Sequence, residues 1–164
     1  MTDSLLQNLE TSFFNQALKD QLLSASWFKP LTLAGKKILP IVQGGMGVGV
    51  SAHSLAGAVA RENAMGTIAS IDLRHHHPDL MEQTERCRDR ELIDQANLIA
   101  LDREIKAARI KSKGRGLIAV NVMKAVRQHP ALVRQTCESG ADVLPVKYLQ
   151  EGQRLIKDVR SKIT

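Results

Sequence analysis

Apolar residues follow two patterns along this chain, a helical period and short continuous runs, and the two patterns alternate. The helical period predicts an amphipathic helix over residues 4–24 and further helices over 52–62, 92–113 and 130–138. The continuous runs predict buried strands over 38–42, 66–71, 117–122 and 141–144. Strands that are apolar throughout and alternate with helices are typical of a parallel sheet with helices on both faces. The pattern predicts an α/β fold and leaves open whether the sheet is a barrel or an open one.

Local signals refine the boundaries of these elements. The runs 31–33 and 37–43 flank Ala34-Gly35-Lys36, which predicts a short hairpin. Pro40 cannot donate to a sheet ladder, so it is expected at the beginning of its strand. Ser51 is expected to cap the helix that follows it, and Pro78 to lie in the first turn of another helix.

Composition favours a soluble globular protein. The chain has 164 residues, enough for one domain with a hydrophobic core, and 43% of them are apolar and 24% charged. No apolar stretch approaches the roughly 20 residues of a membrane span, and the N-terminus lacks the pattern of a signal peptide. Two cysteines, Cys87 and Cys137, make no disulfide framework. We therefore expect a cytoplasmic protein with no membrane partner.

The net charge of +6 raises the question of nucleic-acid binding. Much of the excess positive charge lies in residues 145–164, which contain five basic and two acidic residues. Aromatic residues make up 3% of the chain and are too few to be interleaved with the basic clusters as base stacking requires. The charge pattern therefore does not predict a nucleic-acid partner.

A glycine-rich segment follows the first predicted buried strand and has three interpretations. Residues 47–52 fit the pattern G-x-G-x-x-A, and Asp72 follows the next strand, which is typical of a dinucleotide site. Alternatively, the glycines of 44–47 let the backbone lie flat against a planar ring, with Met46 packing on it. The third interpretation is a turn with a structural role only. In the dinucleotide motif the first glycine comes where strand turns into helix, whereas here residues 44–47 intervene.

A sequence resemblance favours the second interpretation. The run from Pro40 to Gly47 is similar to the first strand and loop of the nitronate monooxygenase (2-nitropropane dioxygenase) family. The similarity continues through residues 55–60 and 64–70, returns at 119–123, which includes Asn121, and extends over 131–143. In all it covers about residues 31–144.

The resemblance implies a fold, a cofactor and a reaction. Family members are (β/α)8 TIM barrels that hold FMN without a covalent bond and oxidise alkyl nitronates with O2 to a carbonyl compound and nitrite. In this chain it implies about the first four β/α units of such a barrel. The segment around Met46 and the amide of Asn121 are then expected at the same rim of the sheet. The flavin contacts implied are Gln43, Gly44, Gly45, Met46, Gly47 and Asn121.

The resemblance ends near Leu144, where Pro145 and a basic segment follow. A whole barrel takes roughly 250 residues. The sequence thus predicts a helical extension (1–30), half of a flavin-binding barrel (31–144) and a divergent basic tail (145–164). The family's catalytic histidine would lie in the absent strands. We therefore expect a truncated or frameshifted copy with impaired activity, which binds FMN weakly or not at all and whose open sheet edges favour self-association.

Alternatives to this function remain. Another FMN- and NAD(P)H-dependent barrel oxidoreductase of the enoyl-reductase type would share the loop, and an inactive remnant would have no ligand at all. The run His75-His76-His77 has no second cluster of ligands, so we expect it to form an exposed loop on the catalytic face rather than a metal site.

Overall fold

A computed structural model describes residues 16–144 of the chain. Its helices and strands, numbered here in chain order, are α1 (Gln16–Ala25), β1 (Leu31–Leu33), β2 (Lys36–Ile38), α2 (His53–Arg61), β3 (Met65–Ala69), α3 (Pro78–Thr84), α4 (Arg90–Ser112), β4 (Leu117–Asn121) and α5 (His129–Glu138). A 3-10 turn, Leu73–His76, lies between β3 and α3.

Two parallel strands form the centre of the fold. β3 pairs with β4 in register, from Met65 opposite Leu117 to Ala69 opposite Asn121. Every residue of β3 is buried, and so are the first four of β4, because helices pack on one face of the sheet and the β1–β2 hairpin packs on the other. The largest core cluster joins these strands to α2, α4 and α5 through Ile68, Val120, Ala56, Leu101, Ile105 and Val133.

The predicted partial TIM barrel is wrong. The structure is α/β, but its described part contains only two small sheets of two strands each, one antiparallel and one parallel. The segments expected as the first and fourth strands make only single parallel bridges, Val42 to Met65 and Val143 to Ala119. The expected four-stranded parallel sheet flanked by helices is therefore not formed.

The hydrogen bonds of residues 38–43 explain why this segment makes only one bridge to β3. Ile38 is paired with Leu31 in the antiparallel hairpin, so the chain enters the segment from a different sheet. Ile41 O and Gln43 N bond to Met65, but the next donor along β3, Thr67 N, bonds to the side chain of Gln43 instead of to its backbone. Pro40 was expected at the beginning of a strand. It lies instead between the antiparallel hairpin, which ends at Ile38, and the single parallel bridge of Val42 to Met65.

At the opposite edge of the parallel sheet, the side chain of Asp142 supports the short pairing of residues 142–143 with β4. The Asp142 carboxylate accepts a hydrogen bond from Ile118 N at 2.9 Å. Its other oxygen lies 3.2 Å from Arg109 Nη2 and 3.5 Å from Lys36 Nζ. Backbone pairing continues through the bond from Val120 N to Val143 O. This segment is therefore held to β4 mainly at its first residues.

The structure confirms several of the predicted elements. The hairpin of β1 and β2 forms, Pro78 begins α3, and the helices α2, α4 and α5 lie where the period placed them. The helix α4 begins after Asp89, whose carboxylate accepts from Glu91 N, and ends before Lys113 in the left-handed conformation. Of the predicted helix 4–24, the structure describes α1 onwards, and the predicted tail 145–164 lies outside the described residues.

Within residues 16–144, none of the helices combines the length and the apolar character that a membrane crossing requires.

Glycine at position 66 allows α2 to pack directly on β3. A Cβ built on Gly66 would lie 2.0 Å from the carbonyl oxygen of Ala56, a contact with rigid backbone. We predict that Gly66→Ala lowers the free energy of unfolding by about 2–3 kcal/mol, because the helix must move off the strand. Chemical denaturation of the purified chain measures this loss.

Gly44→Ala is the matched control, since a Cβ at that position meets nothing within 4 Å. Equal stability of the two variants would contradict the close packing of α2 on β3.

Candidate functional site

The glycine loop, defined here as residues 44–50, lies against the carboxyl ends of β3 and β4. A Cβ built on Gly45 would be 2.8 Å from Cβ of Asn121, 3.2 Å from its Nδ2 and 3.3 Å from Cγ2 of Thr67. Only glycine allows this approach. The structure thus places two of the predicted flavin contacts, Gly45 and Asn121, side by side.

A buried serine closes the glycine loop. The Ser51 hydroxyl accepts from Met46 N at 2.9 Å and from Gln43 Nε2 at 3.0 Å, and it donates to Gly44 O at 3.2 Å. The predicted N-cap role of Ser51 is wrong, because the cap residue of α2 is Ala52 and has no side-chain cap bond. Ser51 instead fixes the shape of the loop.

Gln43, another predicted flavin contact, uses its side chain within the protein. Its Oε1 accepts from Thr67 N at 2.9 Å, while its Nε2 donates to Ser51 Oγ and to Gly44 O. The amide therefore ties the beginning of the loop to β3. These bonds make Gln43 a residue that positions the loop.

The outer surface of the loop remains accessible. About half of each of Met46, Val48 and Val50 is exposed, and a Cβ on Gly44 or Gly47 would enter open space. Asn121 is exposed at the end of β4, and its side-chain amide has no hydrogen-bond partner in the described part of the chain. An apolar surface beside an unpaired amide is suited to a flat ring with a polar edge.

Glu104, which no sequence motif predicted, is the most buried charged residue of the site. Its side chain is 1% exposed, and one oxygen accepts from His53 N at 2.6 Å and lies 2.8 Å from His53 Nδ1. The other oxygen lies 3.2 Å from His77 Nε2. A signal was present in the sequence, since Glu104 falls on the apolar face of its helix between Leu101 and Ile105.

The position of Glu104 argues against the dinucleotide interpretation of residues 47–52. In that motif, the helix N-terminus after the loop binds a pyrophosphate. Here the beginning of α2 is occupied by the buried Glu104 carboxylate, which would repel a second anion. Asp72, the expected ribose ligand, lies 3.4 Å from Asn97 Nδ2.

The three consecutive histidines have three different environments. His75 is exposed, His76 packs on the glycine loop, and His77 contacts Glu104. Burial lowers the pKa of His77, and the nearby Glu104 carboxylate opposes this only in part. Among residues 16–144, no three His, Cys, Asp or Glu side chains are grouped so that they could hold a metal ion.

We predict that Ser51→Ala destabilises the chain by about 2–3 kcal/mol, because it leaves buried polar groups of the loop without partners. Ser54→Ala, which removes an exposed hydroxyl one turn away, should have an effect within about 0.5 kcal/mol. Thermal and chemical denaturation measure both. If the two variants were equally stable, Ser51 would not be the residue that closes the loop.

A scan against protein-family models finds no match to this chain, and a search of curated proteins finds none either. The geometry of the glycine loop and the sequence resemblance are therefore the basis for a functional proposal.

Proposed function

We propose that this chain binds FMN through the glycine loop and Asn121 and that it acts on alkyl nitronates, using O2 and forming a carbonyl compound and nitrite. One observation carries the proposal. The two segments that resemble flavin contacts, far apart in the sequence, lie against each other, with Gly45 packed on Asn121. A loop with only a structural role would not require an exposed, unpaired amide at the same point.

The residues of the loop fit the ring of a flavin. Met46, Val48 and Val50 offer apolar surface, and the glycines keep side chains away from the backbone. The Asn121 amide both donates and accepts, so it can match the polar edge of an isoalloxazine. When bound, FMN supplies an electron acceptor that O2 can reoxidise. The described residues bind and orient, and we assign none of them a catalytic role.

The phosphate of FMN would be bound elsewhere than at the beginning of α2. Glu104 already accepts the His53 backbone N–H there, and its charge disfavours a phosphate at the same place. The same argument makes a dinucleotide cofactor at this helix the weaker alternative.

Flavin binding is the first test. FMN is titrated with the purified chain while its fluorescence is followed, and we expect saturable quenching. Asn121→Ala should weaken binding about tenfold, since a hydrogen bond to the ring is worth about 1 kcal/mol or more. Gln95→Ala removes an exposed amide from α4 and should leave the affinity unchanged.

Turnover is measured separately as O2 consumption that depends on added nitronate. Binding of a nicotinamide dinucleotide without flavin would contradict the proposal and favour the dinucleotide interpretation. Flavin binding without nitronate-dependent O2 consumption would support the cofactor and reject the reaction. Equal affinity of the Asn121→Ala variant and the unaltered chain would reject the proposed site.

A further inference from the structure

Arg74 lies in the 3-10 turn between β3 and α3, and only 14% of its side chain is exposed. Its Nη1 donates to two uncharged acceptors on α3, Met81 Sδ at 3.2 Å and Thr84 Oγ1 at 3.4 Å. Its Nε is buried and has no hydrogen-bond partner among residues 16–144. Its Nη2 lies 3.8 Å from Asp72 Oδ1, which is beyond hydrogen-bond distance. The edge of the guanidinium formed by Nε and Nη2 is therefore unfilled by any described residue.

An unfilled edge is unusual for an arginine with so little exposure, because a buried charge is costly unless it is paired and hydrogen-bonded. The Nε and Nη2 hydrogens of a guanidinium are parallel and match two oxygens of a carboxylate or a phosphate. Asp72 supplies a charge but not these hydrogen bonds, since its Oδ1 is also 3.4 Å from Asn97 Nδ2 and 40% of its side chain is exposed. The geometry of Arg74 is thus that of an open oxyanion site rather than of a completed ion pair.

The turn that carries Arg74 lies between the two parts of the candidate ligand surface. Before the turn, Ser70 N donates to Asn121 O at 3.1 Å. At the end of the turn, His76 packs on the glycine loop, since a Cβ built on Gly49 would be 2.6 Å from His76 Nε2. A ligand whose ring lies on the glycine loop and on Asn121 therefore has this turn beside it.

The acidic residues around the turn leave one competitor for a bound anion. Asp79 accepts from Arg103 Nη1 through both of its oxygens, at 2.9 and 2.8 Å. Glu104 accepts from the beginning of α2. Asp72 is the carboxylate that lies next to the open edge of Arg74, and its exposure allows it to turn toward water. FMN carries an oxyanion outside its ring, the phosphate, for which the beginning of α2 is unsuitable.

We propose that the Nε and Nη2 edge of Arg74 binds the phosphate of FMN and that Asp72 turns toward solvent when the phosphate enters. The identity of this ligand rests on the proposed flavin function. The oxyanion site itself does not, and inorganic phosphate can probe it without a flavin.

A comparison of FMN with riboflavin, which lacks the phosphate, measures the contribution of Arg74. Each flavin is titrated with the purified chain, and fluorescence quenching gives the two dissociation constants. We expect FMN to bind about ten- to hundredfold more tightly than riboflavin, as hydrogen bonds between charged groups provide. Arg74→Gln should reduce the affinity for FMN to that for riboflavin and leave the affinity for riboflavin unchanged.

Two further variants make the comparison specific. Arg103→Gln is the matched control, because it removes the same charge from an arginine that is already hydrogen-bonded to a carboxylate, and it should keep the preference for FMN. Asp72→Asn removes the competing carboxylate and should increase the preference several-fold. Asparagine is well tolerated at this position, where φ is 48°.

Equal affinity for FMN and riboflavin in the unaltered chain would overturn the proposal while leaving the proposed flavin function intact. An Arg74→Gln variant that keeps the preference for FMN would overturn it as well. If Arg74→Gln fails to fold, Asp72→Asn decides, since an unchanged preference in that variant would also reject the site.

If neither flavin binds, the proposed function fails, and inorganic phosphate alone decides on the oxyanion site. NMR of the 15N-labelled chain follows the Nε–H signal of Arg74 during titration with phosphate at constant ionic strength. We expect a saturable shift, with tighter binding in Asp72→Asn. Absence of a shift, or an equal shift of the Arg103 Nε–H signal, would reject the site.

Discussion

The in-register pairing of β3 with β4 is the constraint on which the candidate site depends. Because Ala69 lies opposite Asn121, both strands end at the same level, and Ser70 N bonds to Asn121 O just beyond the ladder. Parallel strands present their carboxyl ends together, and ligands of α/β proteins bind at such ends. The burial of both faces of the two strands makes a shift in register costly. The position of Asn121 is therefore fixed by the core.

Two buried polar side chains connect this sheet to the surface above it. Ser51 holds the glycine loop in shape, and Glu104 on α4 contacts both His53 at the beginning of α2 and His77. Buried polar groups are costly unless they are hydrogen-bonded, so each of them strongly favours one arrangement of its neighbours. The loop is consequently preorganised by residues that need not touch a ligand.

The sequence predicted the elements of the fold better than the way they assemble. Periodicity located α4 and both buried strands, because each has enough apolar residues to show its pattern. It failed for residues 38–42, since an apolar run does not reveal that Ile38 belongs to the hairpin and that the rest of the segment makes only a single bridge to β3. The size of the sheet depends on such pairing between distant segments, which no local pattern records.

The candidate site was likewise predicted only in part. Resemblance drew attention to Gly45 and Asn121, which the structure places in contact. The roles of Ser51 and Glu104 depend on hydrogen bonds to residues that are not their neighbours in the sequence, such as the bond from His53 N to Glu104. Composition and spacing could not specify these partners.

The central claim is that the glycine loop and the Asn121 amide form one ligand surface. NMR of the 15N-labelled chain during titration with FMN tests it most directly. We predict that the backbone amides of Gly45 and Gly47 and the side-chain amide of Asn121 shift together, with one dissociation constant. Shifts confined to other parts of the chain, or a loop that responds without Asn121, would contradict it.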